Sequence, residues 1–158
     1  MPKPYTVQEA QLKLEYFCSY QERCHVEVIQ KLRSMQMIDQ AIDLIVVHLI
    51  AQNFLNEERF ACSFARGKHR IKFWGKIRII GELKRRQISK FNIDRALKEI
   101  SEEEYDVTFE KTAQHFWEHC REANKLKKRK KFCDFLLRKG FESHKIYAEL
   151  KILEKNEA

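Results

Sequence analysis

One apolar spacing recurs three times along this chain of 158 residues. Each occurrence has four apolar residues separated by steps of five, five and four, in the sets Leu32/Met37/Ile42/Val46, Leu83/Ile88/Ile93/Leu97 and Leu136/Phe141/Ile146/Leu150. The sets begin about 50 residues apart, and self-similarity at such a period is typical of repeat architectures. The chain is therefore predicted to contain three copies of one supersecondary unit.

The steps of five predict a turn inside each set. A continuous helix keeps one face at spacings of three, four or seven, so a step of five leaves that face. Gly140 is predicted to stop a helix, and Asp39, Ser89 and Ser143 are predicted N-caps of the helices that follow. With room for one more helix upstream, each unit is expected to contain three helices.

The composition favours an all-α fold. Only four Gly and two Pro leave few turn signals for a many-stranded sheet. We expect three tandem three-helix repeats, at residues 5–55, 56–103 and 104–155, forming an elongated, curved helical array. Each repeat is expected to have its own small core, so a fragment ending near Ile100 is expected to keep its fold.

Local signals mark two helix starts and leave one segment ambiguous. Thr6 with Glu9 is typical of a capping box, and Asn56 is followed by two acidic residues that suit the positive end of a helix. The stretch 42–50 is rich in β-branched residues and could pass for a buried strand. Its place in the repeat favours a buried helix instead.

The formal net charge of +8 is concentrated in two clusters. The first basic cluster comprises Arg66, Lys68, Arg70, Lys72, Lys76, Arg78, Lys84, Arg85, Arg86 and Lys90, with Glu82 as its one internal acid. The second basic cluster comprises Lys125, Lys127, Lys128, Arg129, Lys130 and Lys131. Such density favours a polyanion or an acidic protein surface as partner, and an ordinary solvated helix face is the alternative.

Two aromatic residues lie within the first basic cluster. Phe73 and Trp74 precede Gly75 and are flanked by cations. Their rings could stack on a base or fill a pocket of a partner. For Trp74, a role as a core anchor at a helix junction is an equal alternative.

The sequence offers little support for an enzyme, a metal or a cofactor. His115, Glu118 and His119 form H-x-x-E-H, a zinc-protease pattern, but no third ligand is evident and the match is short. The five cysteines are odd in number and lack a C-x-x-C pair, so buried reduced thiols are expected. No secretory signal or membrane-length apolar stretch is evident, which predicts a soluble, cytoplasmic protein, expected to be a monomer.

The central segment resembles the RecX family of bacterial recombinase regulators. The residues that carry the resemblance are Asn56, Glu57, Glu58, Arg59, Phe60, Ala61, Phe64, Ala65, Arg66, Trp74, Gly75, Lys76, Ile79, Glu82, Leu83 and Ile88. The first unit agrees through Glu27, Lys31 and Leu32, and the third mainly through Phe135, Leu136, Lys139, Gly140 and Phe141.

The resemblance implies tandem three-helix repeats and a protein without catalysis of its own. It implies binding to the RecA recombinase, along the groove of its filament on single-stranded DNA, and restriction of ATP hydrolysis and strand exchange. Together with Phe73 and Trp74, both basic clusters except Lys84 and Lys125 are predicted to contact the filament or its DNA. A helical-repeat protein that binds DNA directly is the main alternative, and a zinc hydrolase is a distant third.

Overall fold

The computed structural model describes residues 3–157, and within that range the chain is entirely helical, with no strand. Its nine helices in this range are α1 (Val7–Tyr20), α2 (His25–Ser34), α3 (Asp39–Ala51), α4 (Glu57–Lys72), α5 (Lys76–Arg85), α6 (Lys90–Leu97), α7 (Glu102–His119), α8 (Lys125–Lys139) and α9 (Ser143–Glu157). The predicted all-α class and helical-repeat architecture are thus confirmed. None of the helices described is long and apolar enough to cross a membrane.

The recurring step of five corresponds to the same helix-ending turn in each unit. The backbone N–H of the second apolar residue donates to the carbonyl of the first at 3.1 Å in all three units: Met37 to Leu32, Ile88 to Leu83 and Phe141 to Leu136. This is the Schellman bond, and its apolar contact joins the same two positions. The residue immediately before the second apolar residue has positive φ in each turn: 61° at Gln36, 60° at Gln87 and 96° at Gly140. The recurring step of five residues therefore results from the same turn geometry in all three units.

Three of the predicted N-caps are present. Thr6 and Glu9 form the full capping box, with the Glu9 N–H donating to Thr6 Oγ1 at 3.1 Å. Asn56 accepts from the third residue of its helix, and so does Ser89. Each side-chain oxygen satisfies one N–H that has no partner within its helix.

The predicted caps Asp39 and Ser143 are wrong. Ile38 is the N-cap of α3, because its carbonyl already accepts from the Ile42 N–H at 3.0 Å. Likewise, Glu142 precedes α9, so Ser143 is the first helical residue. Each of these two helices therefore starts one residue earlier than the sequence suggested.

The β-branched stretch is helical, as predicted, but only one side of α3 is buried. Ile42 and Ile45 lie in the core, whereas Leu44 is 68% exposed and Val47 is 64% exposed. The expectation of a buried helix is therefore correct for one face of α3 only. A three-helix unit covers only one face of each of its helices.

Buried side chains in the described range form two cores. One belongs to α1–α3 and contains Leu14, Leu32, Ile45 and Leu49 among others. The other is continuous across α4–α9 and even includes Cys24. The expectation of a separate core for each repeat is wrong for the second and third units, whose buried side chains form one cluster in which Tyr105 of α7 stacks on His69 of α4.

The accessible surface supports an elongated shape. A compact monomer of 19.1 kDa would expose about 8,400 Å². The chain exposes 10618 Å², roughly a quarter more. An array of small helical units has this property, because each unit contacts only its neighbours.

Candidate interaction surface

The second and third units meet through backbone at the start of α5. The Gly75 N–H donates to the Lys139 carbonyl at 2.7 Å, and the Ile77 N–H donates to the Gly140 carbonyl at 3.0 Å. The first N–H groups of a helix have no partners within it, and the last carbonyls of another helix likewise lack donors. The start of α5 and the end of α8 therefore satisfy each other.

A buried tyrosine completes this junction. The Tyr105 hydroxyl accepts from the Lys76 N–H at 3.0 Å and donates to Glu142 Oε1 at 2.7 Å. Burial is the main cause that raises the pKa of Tyr105 well above its ordinary value. His69 stacks on the same ring, with centroids 5.3 Å apart, and its Nδ1 donates to the Trp74 carbonyl at 2.9 Å. These contacts fix the turn between α4 and α5.

Two glycines permit the close approach. A Cβ on Gly75 would overlap the carbonyl group of Gly140 and the nitrogen of Phe141. A Cβ on Gly140 would overlap the backbone of Arg78, and Gly140 also has φ +96°, which L residues rarely adopt. Larger residues at either position would push the two units apart.

Around this contact lies a surface that we call the junction patch: Lys68, Lys72, Phe73, Trp74, Arg78 and Lys139. The Arg78 guanidinium carbon is 4.1 Å from the Trp74 ring centroid, and Lys68 Nζ is 5.1 Å from it. Trp74 also packs edge-on against Phe64. Trp74 is thus a half-buried anchor covered by cations, whereas Phe73 is 47% exposed.

The cations of the junction patch have no acidic partners among residues 3–157. None of its four cationic side chains forms an ion pair with a carboxylate of residues 3–157. Instead, Lys139 Nζ donates to the Lys72 carbonyl at 2.9 Å, and Arg78 donates to the Arg138 carbonyl at 3.2 Å. Burial, followed by the charges of Arg78 and Lys72, lowers the pKa of Lys139. An anionic partner would relieve this concentration of positive charge.

Most other residues of the first basic cluster are paired with acids. The ion pairs are Arg66–Glu99 at 3.5 Å, Arg70–Glu104 at 2.7 Å, Lys76–Glu102 at 4.0 Å, Arg85–Glu82 at 3.7 Å and Arg86–Glu82 at 2.9 Å. Arg86 also lies 3.9 Å from Glu27, so it links the first and second units. Lys90 is exposed and forms no ion pair within residues 3–157. Folding therefore neutralises much of a cluster that looks free in the sequence.

The second basic cluster is neutralised in the same way. Its ion pairs are Lys128–Glu157 at 3.2 Å, Arg129–Glu154 at 2.5 Å, Lys130–Asp134 at 2.8 Å and Lys131–Glu122 at 3.0 Å. The hydrogen bond from Lys131 lowers the pKa of Glu122. Lys127 is exposed without such a partner among the described residues. This geometry favours the solvated-face interpretation for most of the second cluster.

The fold does not merge the two clusters. Lys128 and Lys139 lie on the same helix, eleven residues or about 16 Å apart along its axis. Only the C-terminal end of α8, the helix that carries the second basic cluster, reaches the junction patch. Lys139 is not among the predicted contact residues, although its place just before the glycine stop is visible in the sequence.

Two sets of residues that could carry chemistry lie away from the junction patch: the H-x-x-E-H residues and the cysteines. His115, Glu118 and His119 are all exposed on α7, and His119 Nδ1 donates to the His115 carbonyl at 2.8 Å. Within residues 3–157, no three His, Cys, Asp or Glu side chains are grouped so as to hold a metal ion. The five cysteines are free thiols, and burial raises the pKa of Cys18 to about 11. Such a thiol is a poor nucleophile at neutral pH.

Residues 56–97 match the sequence model of the second three-helix domain of RecX. A protein named Regulatory protein RecX from Geobacillus thermodenitrificans is 25% identical over 146 residues, which cover 90% of this chain and 52% of the relative. Another of that name, from Bacillus cytotoxicus, is 28% identical over 139 residues, covering 85% and 50%. The chain thus spans about half the length of these curated relatives.

Two solved structures share the fold. A structure described as regulatory protein RecX superposes with a TM-score of 0.81 at 23% identity, covering 92% of this chain and 72% of the other. RecX from Lactobacillus salivarius gives a TM-score of 0.78 at 23% identity, covering 94% and 96%. At this identity, the likeness establishes the helical-repeat fold.

Proposed function

We propose that this chain, which belongs to the RecX family, is a non-enzymatic regulator that binds the RecA filament on single-stranded DNA. In this role it limits ATP hydrolysis and strand exchange, and so acts in DNA repair, recombination and the SOS response in the cytoplasm. The relatives are named regulatory proteins, which supports the regulatory role. The junction patch is the observation that carries the proposal for this chain.

The patch combines unpaired charge with rigid support. Its cations can engage acidic side chains of the filament or phosphates of the enclosed DNA, because no carboxylate of the described chain competes for them. The backbone bonds between α5 and α8 hold the patch across two repeats. A partner therefore meets a preorganised surface and loses little binding energy to ordering it.

The elongated shape of the molecule is a second argument for binding to a filament. A helical filament presents the same subunit surface at regular intervals, and a rod-like chain can contact more than one subunit. Contacts tied together in this way raise the effective concentration of each. We therefore expect binding to assembled filament to be much tighter than binding to free RecA subunits.

The direct test is the ATPase activity of RecA on single-stranded DNA, titrated with this protein at fixed salt. The proposal predicts inhibition at fewer protein molecules than RecA subunits. A cytochrome c preparation at equal positive charge is a control for unspecific competition by a polycation. An unchanged ATPase rate with this protein in excess over RecA subunits would remove the proposal.

Direct DNA binding is the second candidate, since cations over an aromatic ring are typical of single-strand contacts. Four phosphate contacts by the junction patch would give a slope of about −3 for the logarithm of affinity against that of salt concentration. Titration of labelled oligo-dT, without RecA, measures this slope. Binding to naked DNA as tight as binding to the filament would favour this candidate.

A further inference from the structure

A groove runs between α7 and α8, beside the turn that ends α4. Its floor is apolar and consists of Phe73, Val107 and Phe135. Phe73 is 47% exposed and Val107 is 49% exposed, so both remain accessible. Thr108, Thr112 and His115 also line the groove. The groove adjoins the junction patch, with which it shares Phe73.

The rim of the groove is positively charged. Lys111 and Lys139 line it from opposite helices, and no Asp or Glu of the described chain lines it. Neither lysine forms an ion pair with a carboxylate of residues 3–157. The groove therefore offers an apolar floor between two unneutralised cations.

The Phe135 ring of the floor is poorly arranged for stacking on a base. Phe116 stacks on the Phe135 ring with centroids 4.5 Å apart and planes 16° apart. Lys139 Nζ lies over that same ring, 5.7 Å from its centroid. Because these two side chains already pack over the Phe135 ring, less of its face is available to a base. An aliphatic side chain suits the remaining surface of this ring and the adjoining valine better than a planar base does.

We propose that this groove binds an acidic segment of a partner protein. One apolar side chain of that segment lies on Phe73, Val107 and Phe135, and its flanking carboxylates pair with Lys111 and Lys139. Apolar burial supplies affinity, and the two ion pairs set the sequence preference. This inference goes beyond the proposed function, because it requires neither RecA nor DNA.

The test uses fluorescein-labelled peptides and fluorescence anisotropy with the full chain. One peptide alternates Glu and Leu, a second alternates Glu and Ser at equal length and charge, and the third probe is oligo-dT. We expect the Glu–Leu peptide to bind at least about tenfold more tightly than the Glu–Ser peptide, as burial of one leucine predicts. Equal binding of the two peptides would overturn the proposal, since charge alone would then explain it.

Variants locate the binding site. Val107→Glu places a carboxylate on the floor and should weaken the Glu–Leu peptide at least about tenfold. Ile152→Glu, at a 52% exposed position of α9, has the same charge change and should leave binding unchanged. Lys111→Glu tests the exposed rim and should also weaken binding. Unchanged peptide affinity for Val107→Glu and Lys111→Glu, or a loss confined to oligo-dT, would overturn the proposal.

Discussion

Substitution of Gly75 by alanine should uncouple the second and third repeats. The residue has φ −78° and ψ 168°, which alanine adopts without strain, so the expected effect arises from the contact alone. The added Cβ would overlap backbone atoms of Gly140 and Phe141, which cannot rotate away. The two inter-repeat hydrogen bonds would be lost, at about 1 kcal/mol each, and packing of the shared core would loosen as well. We expect a loss of about 2–4 kcal/mol in the free energy of unfolding.

A second glycine on the same helix is the matched control. A Cβ on Gly81 would meet no atom within 4 Å, and the residue lies inside α5. Gly81→Ala should therefore stabilise the protein by about 0.5–1 kcal/mol through helix propensity. Urea unfolding followed by circular dichroism at 222 nm measures both variants. If Gly75→Ala were as stable as the parent, the junction would not hold the two repeats together.

Three further perturbations test other parts of the fold. Gln36→Gly should stabilise by about 1 kcal/mol in urea unfolding, because Gln36 has φ 61°, and an unchanged midpoint would argue against strain in that turn. Burial, and secondarily the charge of Glu110, raises the pKa of Glu149, so ionisation of this carboxyl group lowers the stability of the protein above the ordinary carboxyl pKa. Glu149→Gln should therefore be more stable than the parent at pH 7, and the difference should vanish in acid. A stability difference that does not change with pH would contradict this. Truncation after Ile100 removes Tyr105 and the rest of α7–α9 from the shared core. Helices α4–α6 should then lose hydrogen-exchange protection, whereas α1–α3, which have their own core, should retain it. Retained protection in α4–α6 would show that the second repeat folds alone.

The repeat and its helices could be predicted because the turn has a sequence signature. A Schellman turn requires an apolar contact between two positions five residues apart, and this contact produces the spacing seen at Leu32 and Met37. Positive φ at Gln36 and Gln87 could not be predicted in the same way. Glutamine carries no preference for that conformation, so packing of the residue that follows must impose it.

The core shared by α4–α9 and the junction between α5 and α8 could not be predicted from the sequence. Gly140 is recognisable as a helix stop, and the structure confirms that role. The need for glycine at position 75 arises from a contact with residues far along the chain, which no local pattern encodes. For the same reason, the expectation that each repeat has a separate core failed for the second and third repeats, where Tyr105 of α7 stacks on His69 of α4.

The candidate site was predicted in part. The basic clusters are evident from composition, but which of their charges stay unpaired depends on acids from other helices, such as Glu154 near Arg129 and Glu104 near Arg70. A count of basic residues along the sequence therefore overestimates the number of cations that remain unpaired in the fold. Whether the remaining charges bind a partner stays a prediction.

The most direct test of the account compares two double variants in binding to RecA filaments on single-stranded DNA. Lys72→Ala with Arg78→Ala removes two unpaired cations of the junction patch, and Lys130→Ala with Lys131→Ala removes two paired cations from the second basic cluster. Both change the net charge equally, and all four residues are exposed, so the fold should persist. Co-sedimentation with preassembled filaments gives the dissociation constants. The account predicts at least about tenfold weaker binding for the first variant and a change within about twofold for the second. Equal weakening of the two, or the reverse order, would contradict the assignment of the junction patch as the binding surface.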